Sequence, residues 1–546
     1  MYKKRSFRLC SMAQLGFLLI FSGLLLTASQ VSAVALDREA RRITYAMSSE
    51  PPDLNTTTST DQVSHMVLDH VMEGLLTYDS ENNLAPGVAE RWKLREDGAT
   101  FWLRKGLRWS DGRPLLAKDF VFAWRKVLEP ATASEYAFIL FPLVNAQAIN
   151  EGKLPIEALG IKAVDDYTLE VRFAKPCPYF LGLTAFSTLF PINEAFYNSR
   201  NGRYAADAGD LLYNGPFKMT EWVHGASLKM EKNPHYWNRE AIWLNEVDVP
   251  YITDDGNARL NLLRDNHIAL ANNLGEQVLG GALQQRMQIK SFLDGGMFYL
   301  EFNHRPDRVT RNRNLRKAIQ AVFSAEDYVY KVLGTPGTYP AYTLFPRWIK
   351  GEKQMFKREH PPRKPEINLE KARAYLVAAK KELGLEKFPP LSLLADDGSG
   401  GNRTAEFMQT LLKQTLDLDV KVDVQIFKQR LAKMTTGDFD MVLSGWGPDY
   451  DDPLTYGDLF MSVNLNNRGR YSSDTYDHWV SVAQSTVDVK QRMQAFGKLQ
   501  DILFEDVVII PMYERGKVYV QHPKLKRVIR RAVGGDPNFN YAVIKE

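Results

Sequence analysis

The chain carries side chains suited to hydrolysis and to metal chemistry, but it does not space them for either. Its nine histidines run from His65 to His522 with no H-E-x-x-H and no i, i+4 pair to seat a zinc ion. No G-x-S-x-G elbow occurs. Asp396-Asp397-Gly398-Ser399-Gly400-Gly401 looks superficially like a serine-protease loop, yet Gly398 separates the acid from the serine. That stretch reads as a turn between a strand over Leu391 to Leu394 and a helix after Asn402. Asp449-Tyr450-Asp451-Asp452-Pro453 offers carboxylates to calcium, but Leu454 and Phe460 stand where an EF-hand loop needs its glycine and glutamate. No cofactor and no metal are expected. The chemistry left is recognition.

One window points to it. Phe439 to Tyr450 opens with an apolar run, Met441 to Leu443, that predicts a buried strand. The run empties into Gly445-Trp446-Gly447, where glycines let another backbone come close beside an aromatic wall. Asp449 follows where the strand leaves its sheet, and strand ends facing a crevice are where α/β proteins hold ligands. Backbone groups there suit an extended peptide added as a strand, with the carboxylate on its α-ammonium. A strand, a turn and an N-cap aspartate explain the same residues without a ligand.

The elements that position this window alternate between strands and helices, which predicts a mixed α/β protein. Ile43 to Met47 reads as a strand, and Phe298, Leu300 and Phe302 mark another. Tyr167 to Phe173 and Val420 to Ile426 show the period-2 pattern of half-buried strands. Phe120, Ala123, Trp124, Val127 and Leu128 form a helical stripe that Pro130 ends. Asn368 caps a helix over Leu369 to Leu383 with Gly384 at its stop, and Asp488 begins another. Lys350 to Pro365 reads as a surface loop.

The first 33 residues have the pattern of a cleaved signal peptide. Lys3, Lys4, Arg5 and Arg8 precede an apolar run of about 13 residues, short of the roughly 20 that a membrane span takes. Small residues follow at Val31-Ser32-Ala33 and Ala33-Val34-Ala35, so the mature chain is expected to start at Val34 or Leu36; an uncleaved anchor is the alternative. Cys10 lies before the apolar run, which leaves no cysteine for lipid attachment at the cleavage site. Removing the four basic residues of that segment from 69 leaves 65, equal to the 65 acidic residues. A formally neutral mature chain lacks the basic excess of a nucleic-acid binder. Only Cys177 remains, between Pro176 and Pro178, so no internal disulfide forms and the thiol reads as a packed side chain.

Ordered sequence blocks then carry a resemblance. They are Glu73-Gly74-Leu75-Leu76, Ala85 to Trp92, Phe101 to Lys105, Trp109 to Gly112, Lys118 to Val121, Asn214 to Phe217 and Asn233 to Asn238. Through them the chain resembles the family 5 extracellular solute-binding proteins of ABC importers, near their oligopeptide-binding branch. The resemblance implies a periplasmic-binding-protein-like α/β fold (class II, cluster C), two lobes built from three domains with mixed β-sheets. Domain I would comprise residues 34–72, 194–295 and 517–546, domain II residues 73–193 and domain III residues 296–516, with a hinge near Gly296 and Gly516. It further implies a monomeric periplasmic receptor, not an enzyme, that binds short peptides, docks transiently on an inner-membrane permease and needs no nucleic acid. Asp449 matches the position that pairs with the peptide N-terminus, and Gly445, Trp446 and Gly447 match the flanking strand. Thr60 and Gln62 match the other side of the peptide, and Tyr136 and Phe427 match aromatic contacts. Relatives can carry an arginine where this chain has Leu443, so Arg403 is a candidate for the peptide carboxylate. A same-fold receptor for a murein peptide, a metal chelate, haem or an oligosaccharide is the nearest alternative. A secreted hydrolase or a chaperone-like or adhesive protein would belong to other classes.

Overall fold

The computed structural model describes residues 34–81, 83–397 and 399–546. The leader and Cys10 lie outside the described residues. A five-stranded sheet runs in the order Leu36–Asp37, Arg42–Met47, Glu246–Ile252, Ser227–Lys232 and Phe217–Val223. A four-stranded antiparallel sheet, Ala89–Arg95, Gly98–Leu103, Thr168–Arg172 and Ile161–Asp165, carries the helix Ala117–Leu128. That helix buries the expected stripe, and its Trp124 Nε1 donates to Leu189 O at 3.0 Å.

The blocks that carried the resemblance meet here as joints between segments. Glu73 accepts from Tyr236 Oη and Trp237 Nε1, both at 2.7 Å, and the Asn214 amide clasps the Glu73 backbone. Trp109 Nε1 donates to Asp119 at 3.1 Å. Buried polar groups cost little only when paired, so these residues tie chain segments together and are not free for a ligand.

The largest sheet has seven strands. Its main path is Leu270–Ala271, Ile509–Gln521, Ile289–Phe302, Met441–Trp446, Leu391–Asp396 and Val420–Gln425, with Tyr339–Pro340 alongside Ile509–Gln521. Leu391–Asp396 is parallel to both its neighbours, with helices Ser399–Leu416 and Phe427–Thr436 in the connections. The two long strands cross from one part of the molecule to the other. Ile289 to Leu293 pair with Val520 to Gly516, and after a register break Met297 to Glu301 pair with Glu514 to Ile509. Gly295 in that break has φ +74°, and Tyr456 Oη donates to its carbonyl at 2.7 Å. Gly516, opposite, has the Gly337 backbone pressed against its Cα, where a Cβ would overlap.

Four expectations need correction. The strand taken to end at Leu443 continues through Trp446, because Ser444, Gly445 and Trp446 pair with Tyr299, Phe298 and Met297. The helix expected after Asn402 already starts at Ser399. Val420–Gln425 is an edge strand, so its alternation does not end in burial: Val424 is 37% and Ile426 56% exposed. Lys350 to Pro365, read as a surface loop, contains a helical turn, Phe356–Glu359, whose Phe356 is buried. Asn368 Oδ1 accepts from Lys371 N, and Gly384 ends Leu369–Leu383 at φ +66°. Cys177 is buried, and burial pushes its thiol up to about 12, so it stays protonated. Among the described residues no helix is long and apolar enough to cross a membrane.

Candidate ligand-binding cleft

Asp449 leaves the end of Met441–Trp446 after Pro448, and its own N–H donates to Thr455 Oγ1 at 3.0 Å. Across the cleft, Tyr136 Oη donates to Asp449 Oδ2 at 3.0 Å, joining residues 313 positions apart. Tyr136 is held by an aromatic group: Phe186 edge-on at 5.0 Å, Phe138 stacked at 6.0 Å and Trp446 tilted at 6.3 Å. Burial pushes the Asp449 carboxyl up to about 8 against the two hydrogen bonds that favour its ionised form. At neutral pH it therefore holds a proton, which it gives up to solvent when a cation pairs with it.

The neighbouring acids are placed differently. A cavity of about 30 Å³ beside Asp449 is also lined by Asp69, Asp294 and Asp536, room for about two waters. Arg531 lies 3.8 Å from Asp69, and Lys517 and Arg530 lie 3.1 and 2.7 Å from Asp536. Burial alone would raise Asp294, but Arg515 and Lys517 hold it down at about 2. Among these four acids, Asp449 is the one with no cation partner among the described residues.

The facing wall comes from the start of helix Gln62–Val71, which Asp61 caps by accepting from Val63 N and Ser64 N. Gln62 lies directly on Gly447, where a Cβ would overlap its amide, and it accepts from Arg515 Nη2 at 3.1 Å. Thr60 Oγ1 accepts from Arg468 Nη2 at 3.2 Å, and the same nitrogen lies 2.6 Å from Glu135 Oε2. The glycines thus serve the protein's own side chains. At Gly445 the close neighbour is the Phe298 ring, 2.8 Å from where a Cβ would stand, and at Gly447 it is Gln62.

Strand addition still has an edge to use. The register with Leu391–Asp396 covers Met441 and Val442, while Leu443 to Trp446 run on past it. Several buried polar atoms nearby have no hydrogen-bond partner among the described residues: Trp446 Nε1, Arg468 Nε, Asn466 Oδ1 and His65 Nε2. Buried polar groups are mostly paired, so each of these atoms is open to a water or a ligand.

The structure brings Asp449, Tyr136, Trp446, Gly447, Gln62 and Thr60 together. It does not bring Arg403, which sits on the exposed face of helix Ser399–Leu416, 3.6 Å from Glu276. Phe427 begins the helix after the edge strand, 5.3 Å beneath Arg430, whose Nη1 donates to Leu443 O at 3.3 Å. The sequence reading missed Glu135, Arg468, Arg430 and Thr455. Glu135 adjoins Tyr136, the one local signal available; Arg468 sits in an unremarkable polar run.

A family model described as bacterial extracellular solute-binding proteins, family 5 Middle, matches residues 83–467. The oligopeptide-binding protein OppA of Bacillus subtilis is 30% identical over 496 residues, 89% of each chain. The structure of Listeria monocytogenes OppA bound to peptide superposes with a TM-score of 0.86 at 30% identity, over 93% of this chain and 99% of that one. The Escherichia coli murein tripeptide binding protein MppA is matched in two forms, both at 27% identity. One gives a TM-score of 0.85 over 92% of this chain and 98% of that one; the unliganded open form gives 0.62 over 94% and 99%. This chain thus superposes better on the first of these structures than on the one described as unliganded and open. The chain belongs to the family 5 extracellular solute-binding proteins.

Proposed function

We propose that this family 5 protein is the exported receptor of an ABC importer, closing two lobes around a short peptide and handing it to a permease without altering it. The lobes follow the three-domain division of residues 34–72, 194–295 and 517–546, 73–193, and 296–516, hinged where Ile289–Phe302 and Ile509–Gln521 cross. The observation that carries the peptide reading is Asp449: a half-buried carboxyl with no cation of its own, facing Tyr136 at the end of a strand whose last residues run past their neighbour. An α-ammonium supplies the missing charge, and main-chain hydrogen bonds to that edge are open to any peptide. Peptide-binding relatives named for that cargo support it. Mass spectrometry of ligand released from the purified protein tests it directly. Short peptides with free N-termini, recovered intact, are the expected result; a non-peptide solute, or peptides cleaved on incubation, would overturn it.

A further inference from the structure

A short peptide brings a negative charge as well as a positive one, and its natural counter-ion here is not the arginine that the sequence suggested. The arginines that could serve have different commitments. Arg515 is forked onto Asp294 and also serves Gln62. Arg430 holds Asp396 at 2.5 Å and the Leu443 carbonyl. Arg403 is half exposed on Glu276. Arg468 differs from all three: its side chain is 8% exposed, it touches the facing wall at Thr60, and its Nε is buried with no partner among the described residues.

The acid that Arg468 does hold comes from the opposite side of the cleft. Glu135 adjoins Tyr136, and its carboxylate also accepts from Thr435 Oγ1 at 3.1 Å while its carbonyl accepts from Asn466 Nδ2 at 3.3 Å. Under the two-lobe division, Arg468, Thr435 and Asn466 belong to one lobe and Glu135 to the other. When the lobes part, Arg468 loses its carboxylate. A ligand entering then meets an arginine in need of one, and a hydrogen bond from a charged guanidinium to a carboxylate is among the strong ones.

We propose that Arg468 receives the ligand's C-terminal carboxylate, so that Asp449 and Arg468 together read the two charged ends of a short peptide. This rests on the peptide reading above. Glu135 and Thr60 then stay on Nη2, leaving Nε for the ligand.

The test uses a random tripeptide mixture made twice, as free acids and as C-terminal amides, offered to the full mature protein and read by mass spectrometry. Wild type is expected to retain free acids at least ten-fold over amides, and Arg468→Met to retain both alike. Glu135→Gln separates this role from a simple clamp between lobes. If Arg468 reads the carboxylate, Glu135→Gln keeps the preference for acids; if the pair only clamps, it weakens both mixtures as Arg468→Met does. Should Arg468→Met misfold because Glu135 is stranded, the pair Glu135→Gln with Arg468→Met removes both charges and takes its place. Equal loss of acids and amides in the Arg468 variant, or no preference in wild type, overturns the proposal while leaving peptide binding intact. Retention of neither mixture by wild type would instead sink the peptide reading itself.

Discussion

At the scale of the residue, Asp449 sets the behaviour of the site. Its carboxyl holds a proton up to about pH 8 while enclosed without a cation. Binding an ammonium requires the carboxylate, so below that pH binding to the closed empty protein releases a proton. Affinity should therefore fall by up to ten-fold per unit as pH drops below about 8. It should also fall above it, where a free α-amino group, with an ordinary pKa of about 7.7–8.0, loses its own charge. Asp449→Asn should lower affinity about 30-fold or more, since truncating one partner of a buried charge pair costs about 2–5 kcal/mol and about 1.4 kcal/mol is a factor of ten. The variant should lose the acid limb as well, and N-acetylated peptides should not bind it worse than free-amine ones. Calorimetry across pH reads all of this; unchanged affinity in Asp449→Asn would make Asp449 a structural residue. Asp449 was legible because it follows a strand end within one short window. Arg468 was not, because what makes it useful lies 333 residues away at Glu135. Arg403 was misplaced for a physical reason: Gly400 and Gly401 read as a turn, but the helix start presses on the end of the preceding strand. A Cβ on Gly401 would stand 2.5 Å from Asp396 O, so the glycine belongs inside the helix.

At the scale of the element, legibility followed how locally each boundary is set. Leu369–Leu383 carries its own start and stop in Asn368 and Gly384, and it was read to the residue. Met441–Trp446 has no such stop. Its last residues are strand because Met297, Phe298 and Tyr299 lie opposite, and no local pattern at Gly445-Trp446-Gly447 announces that partner. The crossing strands depend on a contact of the same kind at Gly516, whose Cα meets the Gly337 backbone. A side chain there forces apart two backbones, neither of which can rotate away as a flexible side chain would. Gly516→Ala should cost about 1–3 kcal/mol, the usual range for overpacking a tight site, seen as a lower denaturation midpoint with an unchanged slope. Gly447→Ala makes the contrast, because its clash is with the Gln62 amide across the cleft. It should leave the stability of the ligand-free protein within about 0.5 kcal/mol, as expected away from packed features, and weaken ligand binding. Equal destabilisation by the two alanines would refute this distinction.

At the scale of the whole molecule, Tyr136 on Asp449, Glu135 on Arg468 and Tyr78 Oη accepting from Asp451 N at 3.3 Å join the two proposed lobes across the cleft, which under that proposal is a closed arrangement. A ligand favours closure only through contacts it makes more strongly in that state, and the ammonium on Asp449 is one of them. Saturation at about 100 times the dissociation constant should stabilise the fold by about 2.7 kcal/mol. The same carboxyl makes the empty protein sensitive to pH. With the lobes apart, water reaches Asp449 and its pKa returns toward the ordinary 3.8; with them closed and empty it stands at about 8. The closed empty state thus binds more protons than the open one between those values, so acid favours it and rising pH disfavours it. The radius of gyration of ligand-free protein, followed by small-angle scattering, should increase from pH 6 toward pH 8 and level off above. Saturating peptide should hold it at the compact value throughout that range, because the ammonium replaces the proton. Asp449→Asn should flatten the ligand-free curve at its compact end, since a neutral amide closes without needing either. A ligand-free radius that ignores pH in wild type, or that still rises in Asp449→Asn, would remove Asp449 as the group that couples closure to charge.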